Sequence, residues 1–290
     1  MENNNRCQKP VLSRWLEWGT KELAFLEKGE ARRECEAILS TLLGVSRSEL
    51  YLAAEAPPRV FPRFSECIRG RKNRIPLAYL LGRIGFWEDE LEVEEGVFIP
   101  RPETETLIEA FLNKGLFLRA EKYRFLDLGT GSGNIAVTLA QLFPNSEGVA
   151  SDVSGRALKL CQRNAARRGL QDRLQWIQAD GLAGFRKGSF EVIFSNPPYV
   201  AGGDWAALEP EVLQEPREAL DGGGEGLDFY QKILQDLDCL SPGGSLWVEI
   251  GWNQVSKVRS LFEKKDFSEI RVFKDLNQIE RAISGINFHG

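Results

Sequence analysis

Apolar and polar positions divide the chain into a helical opening stretch, a short extended link and a long region of alternating elements. Leu12, Trp15, Leu16, Leu23 and Leu26 recur near helical spacing, which predicts a first helix with Gly29 as its C-terminal stop. Cys35, Ile38, Leu39 and Leu42 share one face of a second helix, and Gly44 ends it. Ser46-Arg47-Ser48-Glu49 has the capping-box spacing that starts a short third helix. Pro57-Pro58 and Pro62 punctuate the stretch that leads to Pro76-Leu77-Ala78-Tyr79-Leu80. Together these features predict a small helical domain over residues 1–83 with no residues that carry chemistry. Between Ile84 and Ile99 the period shortens. Phe86-Trp87 and Leu91-Glu92-Val93 flank Glu88-Asp89-Glu90, and Val97-Phe98-Ile99 follows Gly96, which predicts a β-hairpin linker over 84–100. Pro100-Arg101-Pro102-Glu103-Thr104-Glu105 then enters a helix that Thr104 or Glu103 is placed to cap.

From Tyr123 onward strand-like and helix-like segments alternate, which predicts an α/β domain over 101–290 with a mostly parallel sheet. The expected strands are Arg124 to Leu128, Gly148 to Ser151, Leu174 to Gln178, Phe190 to Phe194, Ser245 to Glu249, Ile270 to Phe273 and Arg281 to Ser284. Helices begin at Asn134 and Tyr230. Glu249 closes an apolar strand, where it lines the cleft or pairs with a nearby Arg, the pairing being the expectation.

Composition narrows the chemistry. At 290 residues and 42% hydrophobic content the chain suits a large domain plus a smaller one. No apolar run is long enough to span a bilayer, and residues 1–6 lead into no signal core, so a cytoplasmic location is expected. Cys7, Cys35, Cys67, Cys161 and Cys239 are odd in number and scattered, which reads as core filler in a reducing compartment. His289, the single histidine, is expected in a frayed tail, which argues against His-dependent nucleophilic catalysis and His-ligated metal. Net charge is −5, unevenly spread. Residues 1–83 hold 15 Lys and Arg against 10 Asp and Glu, and the remainder holds 22 against 32. Arg59, Arg63, Arg69, Arg71, Lys72, Arg74 and Arg83 concentrate the basic excess, as a docking face for an acidic protein or RNA or as a solvated helix surface.

Three strand ends carry the candidate chemistry. Gly129-Thr130-Gly131-Ser132-Gly133 follows the first strand and opens a helix, the setting in which glycines let a ligand approach closely. The spacing is not that of a dinucleotide loop, since Asn134 stands where the third glycine belongs, and no Walker lysine follows. Asp152 ends the second strand, where an acid can accept from both ribose hydroxyls of a nucleoside. Asp180-Gly181 lies beyond the third strand, with Asp180 a candidate adenine acceptor or a turn former. Asn196-Pro197-Pro198-Tyr199 leaves the fourth strand. Its Asn side chain and proline carbonyls offer adjacent acceptors beside an aromatic wall, suited to a planar NH2 group.

The D-x-G-x-G-x-G run from Asp127 resembles the first motif of class I S-adenosylmethionine-dependent methyltransferases, and Asn-Pro-Pro-Tyr resembles those acting on NH2 nitrogens conjugated to a π-system. The flanks Ile99 to Glu105, Glu215 to Gly223, Gly226 to Tyr230 and Glu249-Ile250-Gly251 closely resemble the HemK/PrmC family of peptide chain release factor glutamine N5-methyltransferases, over nearly the whole chain. The resemblance implies S-adenosylmethionine as cofactor, held by Gly129, Thr130, Gly131, Ser132, Gly133, Asp152, Asp180, Gly181 and Asn196, without metal. It implies a glutamine held by Asn196, Pro197, Pro198 and Tyr199, with the Asn196 side-chain oxygen and the Pro197 carbonyl as catalytic acceptors. The implied partner is a class I release factor, which the N-terminal domain helps bind. Gly181 departs from the bulkier residue that relatives often carry there. A monomer that binds neither nucleic acid stably nor membrane is expected. The alternative is a DNA or RNA adenine N6-methyltransferase, but the sequence contains no target-recognition insert and the catalytic region is acidic.

Overall fold

A computed structural model describes residues 11–52, 56–114 and 122–287. Cys7, His289 and the opening residues 1–10 lie outside the described residues. The chain forms two compact units, residues 1–82 with 210–214, and residues 83–209 with 215–290.

The first unit contains α1 (Val11–Glu22), α2 (Lys28–Leu43), α3 (Arg47–Leu52), α4 (Val60–Lys72) and α5 (Leu77–Leu81). Leu12, Leu16 and Leu23 pack with Cys35, Ile38, Leu39, Phe64 and Ile68. Gly19 lets three helices meet, because a Cβ there would lie 2.8 Å from Cys35 Sγ and 2.9 Å from Phe64 Cζ. Gly29 does not stop α1. It lies in the first turn of α2, where a glycine is tolerated because the first-turn amides lack helical partners anyway. Gly44 closes α2 in the left-handed conformation as expected. The capping box forms too: Ser46 N donates to Glu49 Oε2 at 2.7 Å and Glu49 N donates to Ser46 Oγ at 3.2 Å. The basic cluster is largely neutralised by its neighbours. Arg71 meets Glu34 and Glu211, Arg74 meets Glu211, Lys72 meets Glu22 and Arg63 meets Glu66.

The second unit opens with the hairpin β1 (Arg83–Phe86) and β2 (Asp89–Glu92), turned at Trp87, whose φ is +58°. Val97 to Ile99 does not extend this hairpin. Val97 packs on Ala157 and Leu160, and Ile99 N donates to the Glu215 side chain at 2.9 Å, so both are fixed by side chains rather than by a ladder. After α6 (Glu105–Lys114) come β3 (Arg124–Leu128), α7 (Asn134–Leu142), β4 (Glu147–Asp152), α8 (Gly155–Ala166), β5 (Leu174–Gln178) and β6 (Phe190–Ser195). α9 (Asp228–Gln235), β7 (Leu240–Glu249), α10 (Val255–Lys264), β8 (Ser268–Lys274) and β9 (Glu280–Ile286) complete it.

Seven strands form one sheet in the order β5-β4-β3-β6-β7-β9-β8, parallel through β7, with β9 antiparallel to both neighbours. Alternation along each strand feeds two cores. Phe125, Val192, Phe194 and Trp247 face α6, α7 and α8, while Leu126, Leu128, Ile193, Leu246 and Val248 face α9 and α10. Both faces are apolar, which is why these strands read as continuous hydrophobic runs. Phe111 meets Phe194 and Trp247 edge-on, at 4.9 and 5.3 Å between ring centroids. Cys35, Cys67, Cys161 and Cys239 are free and buried, as core fillers would be. Among the described residues no helix is long and apolar enough to cross a membrane.

Candidate active site

Strand order dictates where the site lies. The chain runs outward from β3 to β4 and β5, then crosses to β6 and β7, so the crevice opens at the C-terminal ends of β3 and β6. Leu128 pairs with both Ser151 and Ser195. Gly129, Asp152 and Asn196 are therefore the corresponding residues at three neighbouring strand ends, a row spanning about 10 Å at ordinary strand spacing. Ser195 Oγ donates to Leu128 O at 2.8 Å and pins two of these tips together.

The glycine loop is built from buried polar contacts. Gly129 N and Thr130 N donate to Ser151 O at 2.8 and 2.9 Å. Thr130 Oγ1 and Ala136 N donate to Asp127 Oδ2 at 2.6 and 3.0 Å, so the acid that opens the motif caps the start of α7. Burial pushes the Asp127 carboxyl up to about 7, against the pull of those donors. Gly133 has φ +87°, and a Cβ there would sit 2.6 Å from Cys161 Sγ. A Cβ on Gly129 or Gly131 would meet nothing within 4 Å, so open space lies over the loop where a ligand would approach. Asn164, unnoticed in the sequence, donates to Ser132 O and Glu92 O and accepts from Glu92 N, tying loop and hairpin to α8.

Asp152 is held ready at the end of β4. Gly131 N donates to its Oδ2 at 2.9 Å and Ser154 N to its Oδ1 at 2.8 Å. Burial raises its pKa and these amides oppose the rise. Each carboxylate oxygen has a second lone pair for a ligand hydroxyl. Asp180 sits differently: its carboxylate is 70% exposed and pairs with Lys232 at 2.5 Å. Gly181 adopts φ +82°, and a Cβ would fall 2.9 Å from Lys232 Cε. The left-handed backbone explains why a bulky residue is absent there.

At the tip of β6 Asn196 is half-buried and Pro197 buried. Asn196 Nδ2 donates to Thr104 Oγ1 at 3.1 Å, and Thr104 Oγ1 donates to Glu249 Oε2 at 2.6 Å. Tyr199 OH donates to the other Glu249 oxygen at 3.1 Å. Thr104 is thus not a helix cap, and among the described residues Glu249 pairs with no Arg; Arg281, the cation nearby, is bound to Asp275. Burial raises the Glu249 carboxyl to about 7, opposed by the Thr104 and Tyr199 hydroxyls. The sequence held one clue to this centre, a carboxylate inside the apolar run Leu246 to Ile250. Gln254 Nε2 donates to Tyr199 O at 2.9 Å, and Val200 N donates to Leu220 O at 2.8 Å, bracing the loop from behind. Glu215, buried, holds Arg101 and the Ile99 amide next to Thr104.

Comparison with known proteins agrees with this geometry at both ends of the chain. Residues 14–82 match the family model described as the PrmC N-terminal domain, and residues 102–234 match the methyltransferase small domain. A protein of Geobacter sulfurreducens called release factor glutamine methyltransferase is 38% identical over 276 residues, 93% of this chain and 94% of its own. Its namesake from Caulobacter vibrioides is 35% identical, with 87% and 88% covered. Among solved structures, the hMettl16 catalytic domain in complex with MAT2A 3'UTR hairpin 1 superposes with a TM-score of 0.53 at 14% identity, over 80% of this chain and 81% of that one, a likeness of fold. The sheet is that of a class I methyltransferase, and identity of this order across nearly the full length makes the chain a member of the release factor glutamine methyltransferase family.

Proposed function

We propose that this enzyme transfers a methyl group from S-adenosylmethionine to the side-chain amide nitrogen of the glutamine in the Gly-Gly-Gln loop of class I peptide chain release factors, in the cytoplasm. The observation that carries the reading is the row of strand ends. Open space over Gly129 and Gly131, an acid at Asp152 and the acceptor tip at Asn196 stand side by side in register.

The residues fit the cofactor. Asp152 would accept the ribose hydroxyls, the Gly129 to Gly133 loop with Thr130 and Ser132 would admit the amino-acid portion, and Asp180 and Gly181 would border the adenine. Bound there, S-adenosylmethionine supplies an electrophilic sulfonium methyl. The rest is the work of the chain. An amide nitrogen is a poor nucleophile because its lone pair is delocalised into the carbonyl. Asn196 Oδ1 and the Pro197 carbonyl each accept one N–H of the substrate, which orients the nitrogen and stabilises the positive charge that grows on it. Pro197 and Pro198 stiffen the tip and lead the backbone out of the ladder. Tyr199 anchors the tip through Glu249 and offers its ring to the glutamine stem. No histidine base is needed, because the methylated nitrogen is cationic and gives up one of its N–H protons to water. Residues 1–83 serve to recognise the release factor, and the enzyme acts as a monomer.

The test is methyl transfer from labelled S-adenosylmethionine to a class I release factor, to its Gln-to-Ala loop variant, and to DNA and RNA. Label on the unmodified factor alone is expected. Label on nucleic acid alone, or equal label on the Gln-to-Ala variant, would overturn the reading.

A further inference from the structure

Asn196 is useful to an NH2 substrate only if it presents its oxygen, and a carboxamide can sit either way round with almost the same shape. Something must choose. Two hydrogen bonds in the second unit make that choice. Glu249 Oε2 lies 2.6 Å from Thr104 Oγ1, and Thr104 Oγ1 lies 3.1 Å from Asn196 Nδ2. A hydroxyl has one proton. Given to the buried carboxylate, it leaves Thr104 Oγ1 able only to accept from Asn196, so the NH2 is drawn inward and Oδ1 is left at the tip. We propose that Thr104 and Glu249 are positioning residues whose relay fixes the orientation of the Asn196 carboxamide, so that its oxygen faces the amide to be methylated. This rests on the assignment of Asn196 as the acceptor for the substrate.

The relay has a polarity that protonation reverses. A protonated Glu249 donates to Thr104 Oγ1, the threonine proton then turns to Asn196, and the carboxamide answers with its oxygen. The NH2 is now outermost and opposes the N–H groups of a substrate. The groups facing Glu249 support a carboxylate held near this balance. Arg281 from β9, and the hydroxyls of Thr104 and Tyr199, favour the charged form; burial and Glu103 oppose it. Tyr230 from α9 donates to the Glu249 backbone carbonyl at 2.9 Å, not to its side chain. Arg101 lies close enough to Tyr199 to lower that phenol's pKa, against the burial that raises it.

The test compares Thr104→Val, Thr104→Ser and Glu249→Gln. Valine keeps the shape without the hydroxyl, serine keeps the hydroxyl, and glutamine offers Thr104 a permanent N–H donor that reverses the relay. With a release factor as substrate, Thr104→Val and Glu249→Gln are expected to lose about 10- to 100-fold in kcat/KM, the usual effect of a misdirected buried polar group, and Thr104→Ser less than about threefold. Affinity for S-adenosylhomocysteine stays within about twofold, since the hydrogen bonds of the Thr104 and Glu249 side chains run to each other, Asn196 and Tyr199 and none reaches the glycine loop or Asp152. Wild-type kcat falls below pH 7, a limb that Glu249→Gln removes. A second arm needs no substrate. The Asn196 side-chain NH2 resonance, assigned by its loss in Asn196→Asp, should titrate near pH 7 in the wild type and stay fixed in Thr104→Val. Equal activity of Thr104→Val and Thr104→Ser, or a wild-type NH2 signal indifferent to pH from 5.5 to 8.5, would sink the proposal. A titrating signal in an enzyme that leaves release factors unlabelled would retire the functional reading and keep the relay.

Discussion

If the glycine loop holds the cofactor as proposed, it separates fold stability from cofactor binding, and alanine substitutions at its two ends measure the separation. At Gly133 the backbone has φ +87°, and an added Cβ would lie 2.6 Å from Cys161 Sγ, 3.2 Å from its Cβ and 3.3 Å from its Cα. A left-handed conformation costs an L-residue about 1–2 kcal/mol. Forcing a methyl group into the packed contact of α7 with α8 costs about 1–3 kcal/mol more. Gly133→Ala should therefore lose about 2–5 kcal/mol, a large share of a typical domain's stability. At Gly129, φ is +73° and the space in front is open, so Gly129→Ala should lose only the conformational cost of about 1–2 kcal/mol. Its methyl group instead enters the open space proposed for the cofactor, and affinity for S-adenosylhomocysteine should fall at least about tenfold, the equivalent of one ligand contact. Urea unfolding followed by tryptophan fluorescence reads the first effect, and calorimetry the second. Adding Cys161→Ala to Gly133→Ala removes the worst overlap, so the double variant should lose less than the sum of the singles. Gly133→Ala as stable as the wild type, or Gly129→Ala the less stable of the two with unchanged affinity, would refute the reasoning.

Three further expectations follow from other parts of the molecule. Asp152→Ala removes the proposed acceptor for the ribose and frees the Gly131 and Ser154 amides; calorimetry should show cofactor affinity down about 10- to 100-fold, with Asp152→Asn intermediate. Glu249, raised to about 7 when folded against about 4.3 unfolded, contributes stability below pH 4.5 that is lost as pH climbs to 7. The stability of Glu249→Gln relative to wild type should accordingly rise between pH 5 and 7 and level off above, in urea titrations at each pH. Asp127 shifts in the same direction, but it is present in both proteins and cancels. Ser46→Ala breaks the capping box of α3 and should cost about 1 kcal/mol in the thermal unfolding of the helical unit, with methyl transfer chemistry unaffected.

What the sequence revealed was local, and what it hid was long-range. β3 and β5 were readable to the residue because each clusters apolar side chains, Phe125, Leu126 and Leu128 in one and Leu174, Trp176 and Ile177 in the other, just ahead of the turn formers Gly129 and Asp180-Gly181. The loop from Gly129 to Gly133, Asp152 and Asn196 were readable because strand ends in an alternating α/β chain fall on one edge of the sheet. Gly29 misled because a glycine opening one helix looks the same in sequence as a glycine closing another. Val97 to Ile99 imitated a strand because its apolar positions are buried, yet its burial is against α8 and its amide goes to Glu215. Thr104 carries a capping residue's chemistry at a helix entrance, but its hydroxyl is claimed by Glu249, 145 positions away. No periodicity records a partner at that distance. The same holds for Asn164, whose two amide ends serve different elements.

The central claim is that the tip of β6 grips a carboxamide while the neighbouring strand ends hold the cofactor. The most direct measurement is kcat on a release factor together with S-adenosylhomocysteine affinity for Asn196→Ala. Deleting one preorganised acceptor should lower kcat by about 10²- to 10³-fold while affinity changes by less than about threefold. A parallel loss in both quantities, or an unchanged kcat, would contradict the account.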